Sequence, residues 1–211
     1  MKKNRSLLLI CVLFFAAALA GCGKSSPAVS VKVSPGEALY AYRGILEDAP
    51  ALEGEHEELA DASFDYEQNL KKFGNHFDRF AIYDLNQDGV PELIAQTVVN
   101  FRWTPVFIYT YSDGNAILLK DPSGAPGSAS IEQNSSANGA YTLFFCEENH
   151  IHSVWRGTDP AGEAAEENSA YALEGTTLVA TDCSVGESEN TVYFSDIAMA
   201  NTAENVDAIT R

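Results

Sequence analysis

The pattern of apolar residues changes near residue 80, and this change constrains the fold more than any other feature of the sequence. Beyond that point the chain consists of short segments rich in β-branched and aromatic residues, bounded by Gly, Asn, Asp or Pro. Asp113-Gly114 and Glu174-Gly175 mark tight turns, and no helix of useful length separates two segments. The strands are therefore expected to pair antiparallel rather than through helical crossovers. The predicted strands are 80–83, 92–101, 106–111, 116–119, 140–146, 151–155, 169–173, 177–181 and 191–194.

A helix is predicted before these strands, over residues 36–48, and Pro50 stops it soon afterwards. Four apolar residues recur at helical spacing within it: Leu39, Tyr42, Ile45 and Leu46. An acidic stretch follows, interpreted as a solvated loop, and residues 66–77 are compatible with a short second helix. We therefore expect an α+β, mainly β fold, in which an N-terminal helix packs on a mostly antiparallel sheet that forms a sandwich or half-barrel.

The N-terminus has the features of an export signal. Three basic residues precede an apolar run over residues 7–18, which is shorter than the roughly 20 residues that a membrane span needs. The following Leu19-Ala20-Gly21-Cys22 resembles the lipobox of bacterial lipoproteins. The resemblance implies that residues 1–21 are removed and that a lipid on Cys22 anchors the chain to the extracytoplasmic face of the cell membrane. An ordinary secretory signal and an uncleaved membrane anchor are the alternatives.

The expected organisation follows from this signal. Residues 1–21 form the signal peptide, 22–35 a lipidated flexible tether, and 36–211 a single extracytoplasmic domain. That domain is expected to be helical over 36–77, β-rich over 78–195 and weakly helical over 196–211.

Charge and cysteine content narrow the possible partners. Residues 1–21 hold three of the 13 basic residues and none of the 30 acidic ones, so the remainder has a formal charge of −20. Such a surface repels nucleic acid and anionic headgroups, and it favours cations and neutral or basic partners. Cys146 and Cys183 remain after Cys22 is lipidated, and they are predicted either to form a disulfide or to be two unpaired buried thiols.

Residues 84–92 carry the clearest chemical motif. Asp84, Asn86 and Asp88 place oxygen side chains at alternate positions, and Gly89 permits a sharp turn. Calcium takes six to eight oxygen ligands, including backbone carbonyls, so Val90 contributes its carbonyl and Glu92 the closing carboxylate. An EF-hand is excluded because Ala95 occupies its twelfth position and strand-like segments flank the loop. The competing interpretation is a metal-free turn rich in Asp and Asn.

The stretch FAIYDLNQDGVPELIA resembles the calcium-binding β-hairpin of FG-GAP and VCBS-type repeats and of small bacterial lipoproteins with a single such hairpin. The resemblance implies a structural Ca²⁺ site at Asp84, Asn86, Asp88, Val90 and Glu92. The chain departs from the pattern in having Glu rather than Asp at position nine, and it contains only one copy.

Two other groups of residues give weaker indications of a functional site. His150 and His152 face the same side of a strand, where they either bind a transition metal or flank an exposed turn. Trp103, Trp155, Tyr109 and Tyr111 either line a glycan-binding face or belong to the core. No catalytic signature is present.

The sequence therefore favours a non-catalytic surface module that binds an extracellular ligand or protein or supports the envelope. The alternatives are an envelope hydrolase of glycan or peptide and an accessory or sensor subunit of a transport complex.

Overall fold

The computed structural model describes residues 34–51, 76–97, 104–120, 129–131, 133, 138–146, 150–181 and 190–211. The signal peptide, Cys22, most of the tether, the second predicted helix up to residue 75, Trp103 and Cys183 lie outside these residues. The helices are α1 (Pro35–Asp48), α2 (Phe194–Ile197) and α3 (Ala203–Ala208). The strands are β1 (Arg79–Tyr83), β2 (Glu92–Gln96), β3 (Val106–Ser112), β4 (Asn115–Leu118), β5 (Asn138–Phe145), β6 (His150–Thr158), β7 (Ala164–Glu174), β8 (Thr177–Thr181), β9 (Val192–Tyr193) and β10 (Met199–Ala200).

The strands form two antiparallel five-stranded sheets. The first sheet has the order β10-β1-β2-β3-β4 and the second has the order β8-β7-β6-β5-β9. Consecutive strands pair within each sheet, and the exceptions are the short edge strands β9 and β10. The turns predicted from sequence produce this arrangement. Asp113 and Gly114 both have positive φ (50° and 82°), as the tight turn between β3 and β4 requires.

One core lies between the two sheets. Ala81, Ile94 and Ile108 stand on adjacent strands of the first sheet and share one buried cluster with residues of the second. Tyr83 stacks on Phe145 of the second sheet, with ring centroids 5.1 Å apart. We call this cluster the inter-sheet core; its buried members are Ala81, Leu85, Ile94, Val106, Ile108, Leu119, Ile131, Leu143, Phe145, Ile151, Leu173, Leu178 and Phe194.

A second core covers the opposite face of the first sheet. Phe80, Leu93 and Phe107 alternate with the inter-sheet residues along their strands, and they pack against α1 and α3. We call this cluster the helix-side core; its buried members are Ala38, Tyr42, Leu46, Ala49, Phe77, Phe80, Leu93, Ala95, Phe107, Ala129 and Val206. Both faces of the first sheet are thus covered, which explains why four successive residues of β2 are buried.

The C-terminal tail joins the first sheet. The sequence predicted strand at 191–194 and weak helix beyond, but Phe194 begins α2 and residues 199–200 form β10 beside β1. Asn201, only 6% exposed, fixes this tail. Its Nδ2 donates to the carbonyls of Leu46, Ala49 and Phe77 at 3.4, 3.0 and 3.0 Å. One side chain therefore joins the end of α1, the start of β1 and the tail.

The expected fold class is confirmed: the structure is mainly β, with two unclosed antiparallel sheets and a helix packed on one of them. Among the helices of the described residues, none combines the length and apolar composition that a bilayer span requires.

Candidate functional site

The acidic motif forms the connection between β1 and β2. Tyr83 pairs with Glu92, so residues 84–91 make the turn of an antiparallel hairpin. Gln87 and Gly89 have positive φ (57° and 88°), which winds the backbone tightly at the end of the hairpin. The flanking elements are strands and not helices, as the sequence predicted.

The oxygen side chains of the loop turn back onto its own backbone. Asp84 Oδ1 accepts a hydrogen bond from the Asp88 N–H at 3.1 Å, and its Oδ2 accepts one from the Gly89 N–H at 2.9 Å. Asn86 Oδ1 also accepts from the Asp88 N–H, at 3.1 Å, and Asp88 Oδ1 accepts from the Val90 N–H at 2.8 Å. The three side chains that the motif selects are therefore gathered around one turn of backbone.

Glu92 occupies a different environment, inside the hairpin. It is 1% exposed, and its two oxygens accept hydrogen bonds from the Leu85 N–H (2.8 Å) and the Thr110 hydroxyl (3.1 Å). Burial raises the pKa of Glu92 to about 7, with smaller contributions from the charges of Asp88 and Asp84, while the two hydrogen bonds oppose this rise. Sequence reasoning identified Glu92 but not this burial, which depends on Thr110 of β3.

The loop is attached to the helix-side core. Val90 is partly buried against that core. Tyr42 of α1 is fully buried, and burial, followed by the charges of Glu92 and Asp88, raises its pKa. The acidic side chains of the loop are therefore close enough to α1 to act electrostatically on Tyr42.

The described residues contain a different cluster of closely spaced ligand atoms. Ligand atoms of Cys146, His150 and His152 all lie within 4.8 Å of one another, whereas the carboxylates of Asp84, Asp88 and Glu92 form no group of three at that spacing. The sequence placed the two histidines together, but it predicted for Cys146 either a disulfide with Cys183 or an unpaired buried thiol. Because Cys183 lies outside the described residues, that disulfide stays a prediction; within the described part of the chain Cys146 is not bonded to another cysteine.

The aromatic residues proposed for a glycan face belong to the interior where they are described. Trp155 is 4% exposed, and Tyr109 and Tyr111 are half-buried against the helix-side core. Trp103 lies outside the described residues. The described part of the chain thus supports the core interpretation.

Two clefts among the described residues lack the free carboxylate pair that a glycoside hydrolase needs. A cleft of about 200 Å³ beside α1 and α3 contains Glu47 and Asp207. Arg43 binds both carboxylates, with N–O distances of 2.7 and 2.6 Å. A larger cleft of about 400 Å³, lined by Arg79, Gln133, Ser195 and neighbouring residues, has no Asp or Glu in its wall.

No family model, curated protein or solved structure matches this chain.

Proposed function

We propose that the chain is a lipid-anchored extracytoplasmic module, without catalytic activity, whose β1–β2 hairpin is stabilised by Ca²⁺. The observation that carries the calcium assignment is the wound loop at residues 84–91, where Asp84, Asn86 and Asp88 bring oxygens to one turn of backbone. Hard oxygen donors are the ligands that Ca²⁺ takes in proteins.

Calcium at this hairpin would act on stability and not on chemistry. The loop concentrates negative charge at the end of two strands whose residues enter both cores. A divalent cation would neutralise the mutual repulsion of Asp84, Asp88 and Glu92 and so stabilise the hairpin. The net charge of −20 outside residues 1–21 favours a neutral or basic partner.

The calcium proposal is tested by thermal unfolding of the full chain in mild detergent, monitored by tryptophan fluorescence. An extracellular site with a Kd of about 0.1–1 mM stabilises the folded state by roughly 1.4–2.7 kcal/mol at about 10 mM Ca²⁺. For a chain of this size that corresponds to a rise in Tm of roughly 3–11 °C.

The variants should preserve hydrogen bonding and remove charge. Asp84→Asn combined with Asp88→Asn keeps the loop acceptors and should abolish the calcium-induced rise. Asp113→Asn, in the exposed turn between β3 and β4, is the matched control and should retain it. An equal rise with Mg²⁺, or an unchanged Tm in Ca²⁺, would contradict a calcium site.

The membrane anchor is tested separately through Cys22. Replacing the thiol prevents attachment of the diacylglyceryl group, so Cys22→Ala should move the chain from the membrane fraction to the soluble fraction. Retention in the membrane would indicate an uncleaved N-terminal anchor instead. This experiment does not depend on the calcium result.

A further inference from the structure

Three residues with side chains that bind transition metals meet where β5 passes into β6. Cys146 directly follows β5, and His150 and His152 lie at the start of β6. The Cys146 N–H donates to the His150 carbonyl at 3.1 Å, which extends the ladder between the two strands by one pair. The positions of the three residues are therefore set by regular strand pairing.

Strand alternation places the three side chains on one face. Phe145 and Ile151, which pair across the two strands, both enter the inter-sheet core. The residues on either side of them, Cys146, His150 and His152, consequently point away from that core. They stand together on the opposite face of the second sheet.

The spacing of the ligand atoms fits a tetrahedral ion. Zn–S and Zn–N bonds of about 2.3 and 2.0–2.1 Å at a tetrahedral angle separate sulfur from nitrogen by roughly 3.5 Å. Cys146 Sγ lies 3.5 Å from His152 Nε2, and the ligand atoms of all three residues lie within 4.8 Å of one another. A single ion can therefore contact all three with small side-chain movements.

The buried member of the group is held in place before any ion binds. His152 is 2% exposed and its ring stacks on Phe144, with centroids 4.8 Å apart and an interplanar angle of 12°. The His150 ring meets the His152 ring edge-on at 6.3 Å. Cys146 and His150 are partly exposed, so an ion can reach the group from solvent.

We propose that Cys146, His150 and His152 bind Zn²⁺ through one thiolate and two imidazole nitrogens, leaving a fourth coordination position for water or a ligand. Binding converts the Cys146 thiol to a thiolate and releases its proton to solvent, so the apparent affinity rises with pH. A thiolate bound to the ion cannot at the same time belong to a disulfide with Cys183.

A cysteine–histidine nucleophile pair is the competing use of the same residues. Such a pair needs a third group that orients the base. The Asn168 side chain of β7 hydrogen-bonds to His152 and would be that group. A nucleophile pair leaves His150 without a role, however, whereas a metal ion uses its nitrogen as a third ligand at the observed spacing, which favours metal binding.

The test uses Co²⁺ as a spectroscopic substitute for Zn²⁺, with the reduced full chain in mild detergent. One equivalent of Co²⁺ should produce a thiolate-to-cobalt charge-transfer band, and Zn²⁺ should remove it by displacement. Cys146→Ser should abolish the band, and His150→Gln should weaken Zn²⁺ binding by at least about 10–100-fold, the loss that even an outer-shell partner causes. Cys183→Ser is the matched control and should retain the band.

A second test uses the unmodified chain, so its result does not depend on whether the variants fold. Zn²⁺ should protect Cys146 from iodoacetamide, as read by peptide mass spectrometry, while the alkylation of Cys183 stays unchanged. Absence of the charge-transfer band, its persistence in Cys146→Ser, or equal alkylation of Cys146 with and without Zn²⁺ would each overturn the proposal. Because the calcium loop lies in the first sheet, failure here leaves the calcium response of Tm unaffected.

Discussion

The buried carboxyl group of Glu92 should make the stability of the chain depend on pH in calcium-free buffer. Glu92→Gln is the variant that isolates this effect. Its amide oxygen can accept from the Leu85 N–H, and its amide nitrogen can donate to the Thr110 hydroxyl, so both buried hydrogen bonds are retained. Only the ionisation is lost.

The magnitude follows from the difference in pKa between the folded and unfolded states. The pKa of Glu92 is about 7 in the folded chain against an ordinary value of 4.5. Between these values the folded chain keeps a proton that the unfolded chain releases, so raising the pH favours unfolding. At 1.36 kcal/mol per pKa unit, the wild type loses about 3 kcal/mol relative to Glu92→Gln as the pH rises through this window.

Thermal unfolding of the full chain, with EGTA present, measures the effect between pH 5 and pH 8. Groups other than Glu92 titrate in both proteins, so their contributions cancel in the difference. About 2.5 kcal/mol of this loss falls between pH 5 and pH 8, so the variant should exceed the wild type in Tm at pH 8 by roughly 5–10 °C more than it does at pH 5. A Tm difference that stays constant over this pH range would refute the assignment of a buried, proton-binding Glu92.

Two further predictions concern packing and hydrogen bonding. A methyl group at Gly139 would overlap the buried Trp155 ring, so Gly139→Ala should destabilise the chain by about 1–3 kcal/mol in denaturant titrations. Gly44→Ala, in an exposed part of α1 with no atom within 4 Å, should instead stabilise it by about 0.5–1 kcal/mol, and equal effects would contradict the packing argument. Asn201→Ala removes the donor to three carbonyls in the interior and should cost roughly 2–4 kcal/mol. Asn205→Ala, which removes one exposed bond, should cost under about 1 kcal/mol, and a similar loss for both would refute the role of Asn201.

Parts of the candidate site could be predicted because their geometry is local. The spacing of Asp84, Asn86 and Asp88 and the position of Gly89 specify a tightly wound loop, and the structure contains one. Glu92 is different, because its burial depends on Thr110 of β3 and on the inter-sheet face of the first sheet, which it shares with Ile94 and Ile108. A pattern within nine residues carries no information about atoms supplied by distant strands.

The group of Cys146, His150 and His152 could be predicted only in part. Side chains alternate between the two faces of a strand, so His150 and His152 lie on the same face. This inference requires only that the segment is a strand. The approach of Cys146 depends on the register between β5 and β6, in which Phe145 pairs with Ile151. A shift of one residue would turn the thiol to the other face, so the sequence could not place Cys146 beside the histidines.

Sequence alone determined much of the local structure: the position of α1, the existence of the strands β1 to β9 and the turns at Gly114 and Gly175. Apolar periodicity and backbone preference act over a few residues, and they can be read directly from the chain. Tertiary structure decided which strands share a sheet, that β10 from the tail pairs with β1, and that Asn201 joins three distant segments. These choices depend on burying both faces of the first sheet at once, a condition that no single segment contains.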